Sequence, residues 1–130
     1  MAYRVQPTLA GNDFSNGGDS NNFTICITSD KEVYSFGYHS CGGHGHEEFH
    51  INPAKKIPSL KNICSISCGT LHTVCLDANG EVFTFGSNDF GQLGVKLEDT
   101  KNHTFEPQKV NLPPKTNLFI MVILLCAYQI

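Results

Sequence analysis

The 130-residue sequence predicts an all-β fold, a partial β-propeller of two four-stranded antiparallel blades with the start of a third. Three observations carry this expectation. A segment of the chain repeats itself at an offset of 49 residues, a period that suits propeller blades. Within each copy large and small side chains alternate residue by residue, the period of an extended strand. Glycine and Asn-Gly turns punctuate the copies, and the chain holds 12 glycines. No segment combines a helical period with useful length, so a helix bundle or coiled coil is disfavoured.

Thr24–Gly45 laid over Thr73–Gly94 gives the identities Thr24/Thr73, Cys26/Cys75, Glu32/Glu81, Val33/Val82, Phe36/Phe85, Gly37/Gly86, Gly42/Gly91 and Gly45/Gly94, without a gap. Composition alone would give roughly one or two matches over such a length, so the segments are repeats. Ile25/Val74, Ile27/Leu76 and Tyr34/Phe83 are conservative pairs.

In chain order, residues 1–22 read as a lead-in placed at the edge of a preceding blade. The first blade spans 23–60, with strands at Phe23–Ile27, Val33–Phe36 and Lys55–Ile57. The second spans 61–117. There Ile63–Cys68, all small beyond its isoleucines, suits the crowded innermost place. Cys68-Gly69-Thr70-Leu71 reverses the chain into Thr73–Leu76, and Asp77-Ala78-Asn79-Gly80 forms a hairpin turn into Val82–Phe85. Gln108–Asn111 reads as the fourth strand. On the third, Glu81, Phe83 and Phe85 point to one face, Val82 and Thr84 to the other. Glu32, Tyr34 and Phe36 repeat the pattern against Val33 and Ser35. The apolar run Leu118–Ala127, within a stub at 118–130, reads as the innermost strand of a third blade. Its ten residues are too few for a transmembrane helix.

Nine Lys+Arg against twelve Asp+Glu, net charge −3, leave no positive excess for phosphates, so no direct nucleic-acid partner is expected. Aromatic content of 10% argues against a disordered tail. The N-terminal sequence shows no basic segment followed by an apolar stretch. The expectation is therefore a nuclear or cytoplasmic protein, not secreted, with reduced thiols and no membrane partner.

The segments Cys68-Gly69-Thr70-Leu71-His72-Thr73 and Gly80-Glu81-Val82-Phe83-Thr84-Phe85-Gly86-Ser87-Asn88-Asp89-Phe90-Gly91-Gln92-Leu93-Gly94 resemble the repeat of the regulator-of-chromosome-condensation family. That repeat reads C-G-x-x-H-T, then G-x-V-aromatic-x-W-G-x-N-x-x-G-Q-L-G. Phe36 and Phe85 stand at the tryptophan place, keeping the ring without the indole donor. The first unit carries Asn22-Phe23 in place of Leu71-His72. Near the end, Ala127 and Ile130 stand where a third unit's Gly and His belong. The resemblance implies a ring of seven four-stranded blades, of which this chain offers two and a stub. It also implies structural roles for Gly37, Gly42, Gly45, Cys68, Gly69, His72, Gly80, Gly86, Gly91, Gln92, Leu93 and Gly94.

Implied too is a non-enzymatic protein-interaction module; the alternative is part of a guanine-nucleotide exchange factor for a small GTPase. The partner would then be a protein, or the missing blades of the same propeller, or a second copy. Polar blade-connecting loops are the places for such contacts. They are Tyr38–Phe49, with Tyr38, His39, His44 and His46, and Ser87–Asp99, with Asn88, Asp89 and Phe90. No catalytic constellation and no cofactor are expected. His72 lacks a nucleophile partner, Cys64 and Cys68 are not a C-x-x-C pair, and Gly91-Gln92-Leu93-Gly94 lacks the Lys and Ser/Thr of a phosphate loop. The imidazoles between His39 and His50, with Cys41, suggest a weak metal-binding loop as a second alternative, although their spacing matches no standard zinc site.

Overall fold

The described residues form two four-stranded antiparallel sheets, each in simple sequential order. The computed structural model describes residues 6–10, 23–69 and 71–113. The first sheet contains β1 (Gln6–Ala10), β2 (Phe23–Ile27), β3 (Val33–Tyr38) and β4 (His50–Lys56). The second contains β5 (Ile63–Cys68), β6 (His72–Asp77), β7 (Val82–Ser87) and β8 (His103–Lys109). The fold is all-β, as the repeat and its alternation predict.

The middle strands of the sheets superpose at the 49-residue offset. Phe23–Ile27 matches the first five residues of β6, and Val33–Tyr38 matches Val82–Ser87. The fourth strands match at 53, since Tyr38 faces His50 where Ser87 faces His103. The second β-to-β connection is therefore longer by four residues.

Three placements differ from the sequence reading. The lead-in does not edge a preceding blade: Gln6–Ala10 pairs with Phe23–Ile27 and completes the first sheet. The fourth strands begin earlier than Lys55 and Gln108, at His50 and His103, because the ladder extends along the full length of β3 and β7. β4 is mostly exposed and β8 half-buried, and both are interrupted by a register shift, opposite Phe36 and Phe85, with Pro53 and Pro107 in the interrupted stretches. Proline is tolerated there because an edge strand has N–H groups to spare. The apolar stub at 118–130 lies outside the described residues.

Turn chemistry sets the two hairpins. Asp77 Oδ1 accepts the N–H groups of Asn79 (2.9 Å) and Glu81 (2.8 Å), and Gly80 takes φ 81°. In the first hairpin Thr28 Oγ1 accepts the Glu32 N–H, and Lys31 stands at the glycine place with φ 61°.

The main core lies between the sheets. Phe23, Ile25, Ile27 and Val33 from the first face Ile63, Cys75 and Phe85 from the second, with Ile57 and Leu60 from the linker. Burying each large side chain contributes about 1.5–3 kcal/mol, so the sheets hold one another together. A second cluster, Val74, Val82 and Val110, lies on the opposite face of the second sheet. The apolar linker ends the first blade: Ile57 N–H donates to Val33 O, as Val110 N–H does to Val82 O.

Candidate functional site

The connections β3–β4 and β7–β8 leave the sheets at the same end, and their construction is shared. Ser87 and Tyr38 hand the chain into loops whose glycines take left-handed conformations at matching places: Gly42 (φ 76°) with Gly91 (φ 74°), Gly45 (φ 79°) with Gly94 (φ 66°). Gly45 N–H donates to Gly42 O and Gly94 N–H to Gly91 O. Each loop then folds back onto its own sheet. The hydroxyl of Ser35 donates to His44 O, and that of Thr84 to Leu93 O (2.7 Å).

One side chain pins each loop from within. Asn88 Oδ1 accepts the Leu93 N–H (3.1 Å) while Asn88 Nδ2 donates to Val95 O (3.1 Å). At the matching place in the first loop, His39 Nδ1 accepts the N–H groups of Cys41 (3.1 Å) and Gly43 (2.7 Å). Two acceptor contacts on Nδ1 require that nitrogen to be unprotonated.

The first loop is wedged between the sheets. Thr73 Oγ1, on β6, donates to Gly43 O at 2.7 Å across the interface. A side chain at Gly42 would meet the Phe105 backbone, and one at Gly45 would meet Ile57. The loop's histidines accordingly lie inside: His39 and His44 are fully buried and His46 is 6% exposed. Phe23 packs edge-on against His39, centroids 4.8 Å apart. His44 Nε2–H donates to Phe49 O (3.1 Å) and His46 Nε2–H to Lys55 O (3.2 Å). Burial holds both imidazoles below the ordinary histidine pKa, favouring the neutral ring.

These burials correct the expectation for three residues. His39, His44 and His46 do not present themselves to a partner; the space between the blades takes them up. The alignment itself held the clue, because His44 stands opposite Leu93 and His46 opposite Val95, both apolar. The same geometry assigns the imidazoles to main-chain partners. Among the described residues, no three His, Cys, Asp or Glu side chains converge as metal ligands would.

What the loops do present is different. Phe90 is 65% exposed and Phe49 60% exposed, the latter edge-on to Tyr38. Around them stand exposed Glu47, Glu48, Asp89, Glu98 and Asp99. Glu48 pairs with Lys55 (2.9 Å), which holds its carboxyl below the usual range. Beside the first loop an open groove of about 520 Å³ runs between the sheets, with Ile57, Pro58, Phe105 and Pro107 among its walls. Asn88 is half-buried by its pinning bonds, and Gln92 Oε1 accepts the Phe90 N–H (2.9 Å).

The remaining motif residues sit in the frame. His72 is 3% exposed, and its carbonyl accepts the Gly69 N–H at 2.7 Å, closing the β5–β6 turn. Cys68 packs against the main core, and Leu93 is fully buried. Gly37 and Gly86 take φ 107° and 113° on β3 and β7.

Comparison with known proteins agrees with this construction. Family models described as the regulator of chromosome condensation (RCC1) repeat match residues 63–92 and 79–124. The human E3 ubiquitin-protein ligase HERC2 is 37% identical over 68% of this chain, a match covering 2% of the ligase. The human regulator of chromosome condensation is 36% identical over 56% of this chain and 18% of its own length. The chain thus spans a small part of these relatives. The structure of yeast RCC1 (Prp20) bound to Kap60 superposes with a TM-score of 0.62 at 23% identity, over 73% of this chain and 25% of that one. With two repeats of matched register, turn and loop construction, the chain belongs to the regulator of chromosome condensation repeat family.

Proposed function

We propose that the chain is a non-enzymatic protein-interaction module whose contacts come from the two blade-connecting loops. One observation carries this reading. The loops are rigidly pinned from inside by His39 and Asn88, yet each holds a phenylalanine, Phe49 or Phe90, more than half exposed. Exposed large apolar side chains on an ordered frame are the usual anchors of protein recognition. The relatives support it from another side. They are named as a ubiquitin ligase, a protein kinase and a GTPase regulator, proteins of different chemistry, and their matches cover 63–72% of this chain but only 2–10% of their own lengths. Such a spread of activities supports an interaction role for the shared segment.

On this reading Tyr38, Phe49, Asp89 and Phe90 meet the partner. Gly37, Gly42, Gly45, Cys68, Gly69, His72, Gly80, Gly86, Gly91, Gln92, Leu93 and Gly94 keep the blades and loops in shape. The partner is a protein, met in the nucleus or cytoplasm. A second reading, part of an exchange factor for a small GTPase, draws on the similarity to Prp20p of Saccharomyces cerevisiae, a protein described with binding properties to Gsp1p and histones.

The test compares affinity capture by the wild-type chain and by a Phe49→Ser/Phe90→Ser variant. A partner retained by the first and lost by the second, with equal thermal stability, supports the loop reading. Equal capture by both refutes it. Adding the chain to Gsp1p loaded with a fluorescent guanine nucleotide separates the second reading, which requires faster nucleotide release.

A further inference from the structure

The open groove of about 520 Å³ between the sheets is built by both blades. The first blade contributes Glu47 from its connecting loop and Lys55 from β4. The second contributes Phe105, Glu106 and Pro107, all on β8. Both walls therefore belong to this chain, and no further blade is needed to form them. Ile57 and Pro58, from the linker, join Phe105 and Pro107 in giving the groove an apolar surface. Phe105 and Pro107 are only half-buried and Pro58 is exposed, so apolar area is left facing the open space.

The charges along the groove do not balance. Its lysines are already engaged, Lys55 by Glu48 (2.9 Å) and Lys56 by Glu32 (2.8 Å). Glu47 and Glu106 are exposed, one on each blade, and neither carboxylate has a cationic partner among the described residues. Two negative charges thus stand beside apolar walls, an arrangement that complements a cation carried next to apolar groups. The shape narrows the choice further. Small-molecule sites enclose most of their ligand, whereas this groove is open. The strands that wall it, β4 and β8, are terminal strands of their sheets. An extended peptide can add main-chain hydrogen bonds to such strands and set alternate side chains into pockets.

We propose that this groove binds a short extended peptide in which an arginine or lysine stands next to apolar side chains. Glu47 and Glu106 would accept charge-assisted hydrogen bonds from the cation, and the apolar neighbours would cover Pro58, Phe105 and Pro107. The site is separate from the exposed Phe49 and Phe90 tips, neither of which lines the groove. It does not rest on the loop reading, and its test does not depend on those residues.

The experiment is fluorescence anisotropy on the full chain with a labelled five-residue peptide that carries arginine between two leucines. One control peptide has glutamate in place of the arginine, and another has serine in place of both leucines. The arginine–leucine peptide should bind at least about tenfold more tightly than either control, and more weakly as salt rises. Glu47→Gln/Glu106→Gln should weaken it about tenfold, the scale of two partly exposed ion pairs. Glu47→Lys/Glu106→Lys should instead prefer the glutamate-centred peptide, an exchange that impaired folding would not produce. Phe49→Ser/Phe90→Ser should bind the arginine–leucine peptide as the wild type does, which separates failure of this site from failure of the loop reading. A wild type that binds the three peptides equally, or binds none at millimolar concentration, overturns the proposal. So does undiminished binding by Glu47→Gln/Glu106→Gln, or an unchanged preference in the lysine variant, because the cation would then sit elsewhere. Loss of binding in Phe49→Ser/Phe90→Ser overturns it as well, by placing the peptide on the loop tips.

Discussion

His44 and His46 are polar residues filling apolar places, and the consequence is acid sensitivity. Burial lowers the folded-state pKa of both below 6.5, with desolvation the leading cause in each. The neutral form is the one that folds. Their contribution is fully present above pH 6.5 and is lost as pH falls through that value towards the folded-state pKa. Thermal midpoints should therefore drop on going from neutral to mildly acidic buffer. A His44→Leu/His46→Val variant, which copies Leu93 and Val95, should flatten that dependence; an unchanged slope would contradict the buried placement. Lys31 is the other residue out of keeping with its surroundings. It holds φ 61° where the second hairpin has Gly80. A non-glycine residue there costs about 1–2 kcal/mol, partly offset by the greater unfolded-chain freedom of glycine. Lys31→Gly should raise the denaturation midpoint modestly, by about 0.5–1 kcal/mol in stability.

Among the elements, the glycines of β7 and its loop separate two physical effects. At Gly86 an added Cβ would lie 2.7 Å from the His72 Cα, against backbone that cannot step aside, and φ is 113°. At Gly91 φ is 74° but nothing lies within 4 Å of the same atom. Gly86→Val should therefore cost the most, beyond the ~1–3 kcal/mol of conformational strain that Gly91→Val carries alone. Glu81→Gln removes an exposed ion pair with Lys109 (2.7 Å), the counterpart of Glu32 with Lys56 (2.8 Å). Exposed pairs contribute about 0–1 kcal/mol, so this change should be mildest, and urea midpoints of the three variants give the order. The elements also show where the sequence was legible. The middle strands announce themselves because at least one face of each is packed against a core and their alternation is regular. The strand β1, reading Gln6-Pro7-Thr8-Leu9-Ala10, does not, since what defines it is pairing with a strand a dozen residues away. The beginnings of β4 and β8 are hidden for another reason. Neither edge strand has an alternating buried face to impose a pattern, and Pro53 and Pro107 read locally as strand breakers. At the candidate site the loops are visible as polar, glycine-rich segments. Which of their side chains turn inward follows only from the wedge between the sheets.

For the whole molecule, two repeats share one core, and a bond crosses between them. Because Phe23, Ile25 and Val33 bury themselves against Cys75 and Phe85, neither sheet should melt alone. Thr73→Val removes the hydroxyl that reaches Gly43 O and leaves a buried carbonyl without that donor. The expected loss is about 1–3 kcal/mol, and it should shift the unfolding of both sheets equally when followed by amide exchange. Loss of protection confined to one sheet would argue against a shared core. The chain is two successive repeat blades, offset by 49 residues in their middle strands and 53 in their fourth strands, with the first loop wedged between. The measurement that bears on it most directly is the proton–proton nuclear Overhauser spectrum of the isotopically labelled chain in solution. Two blades in this register should give cross-strand contacts for Tyr34 with Lys56 and for Phe83 with Lys109, and a contact between Gly42 and Phe105 that joins the blades. Sequential helical contacts across Val82–Ser87, different strand partners in the two sheets, or no contact between Gly42 and Phe105 would contradict it.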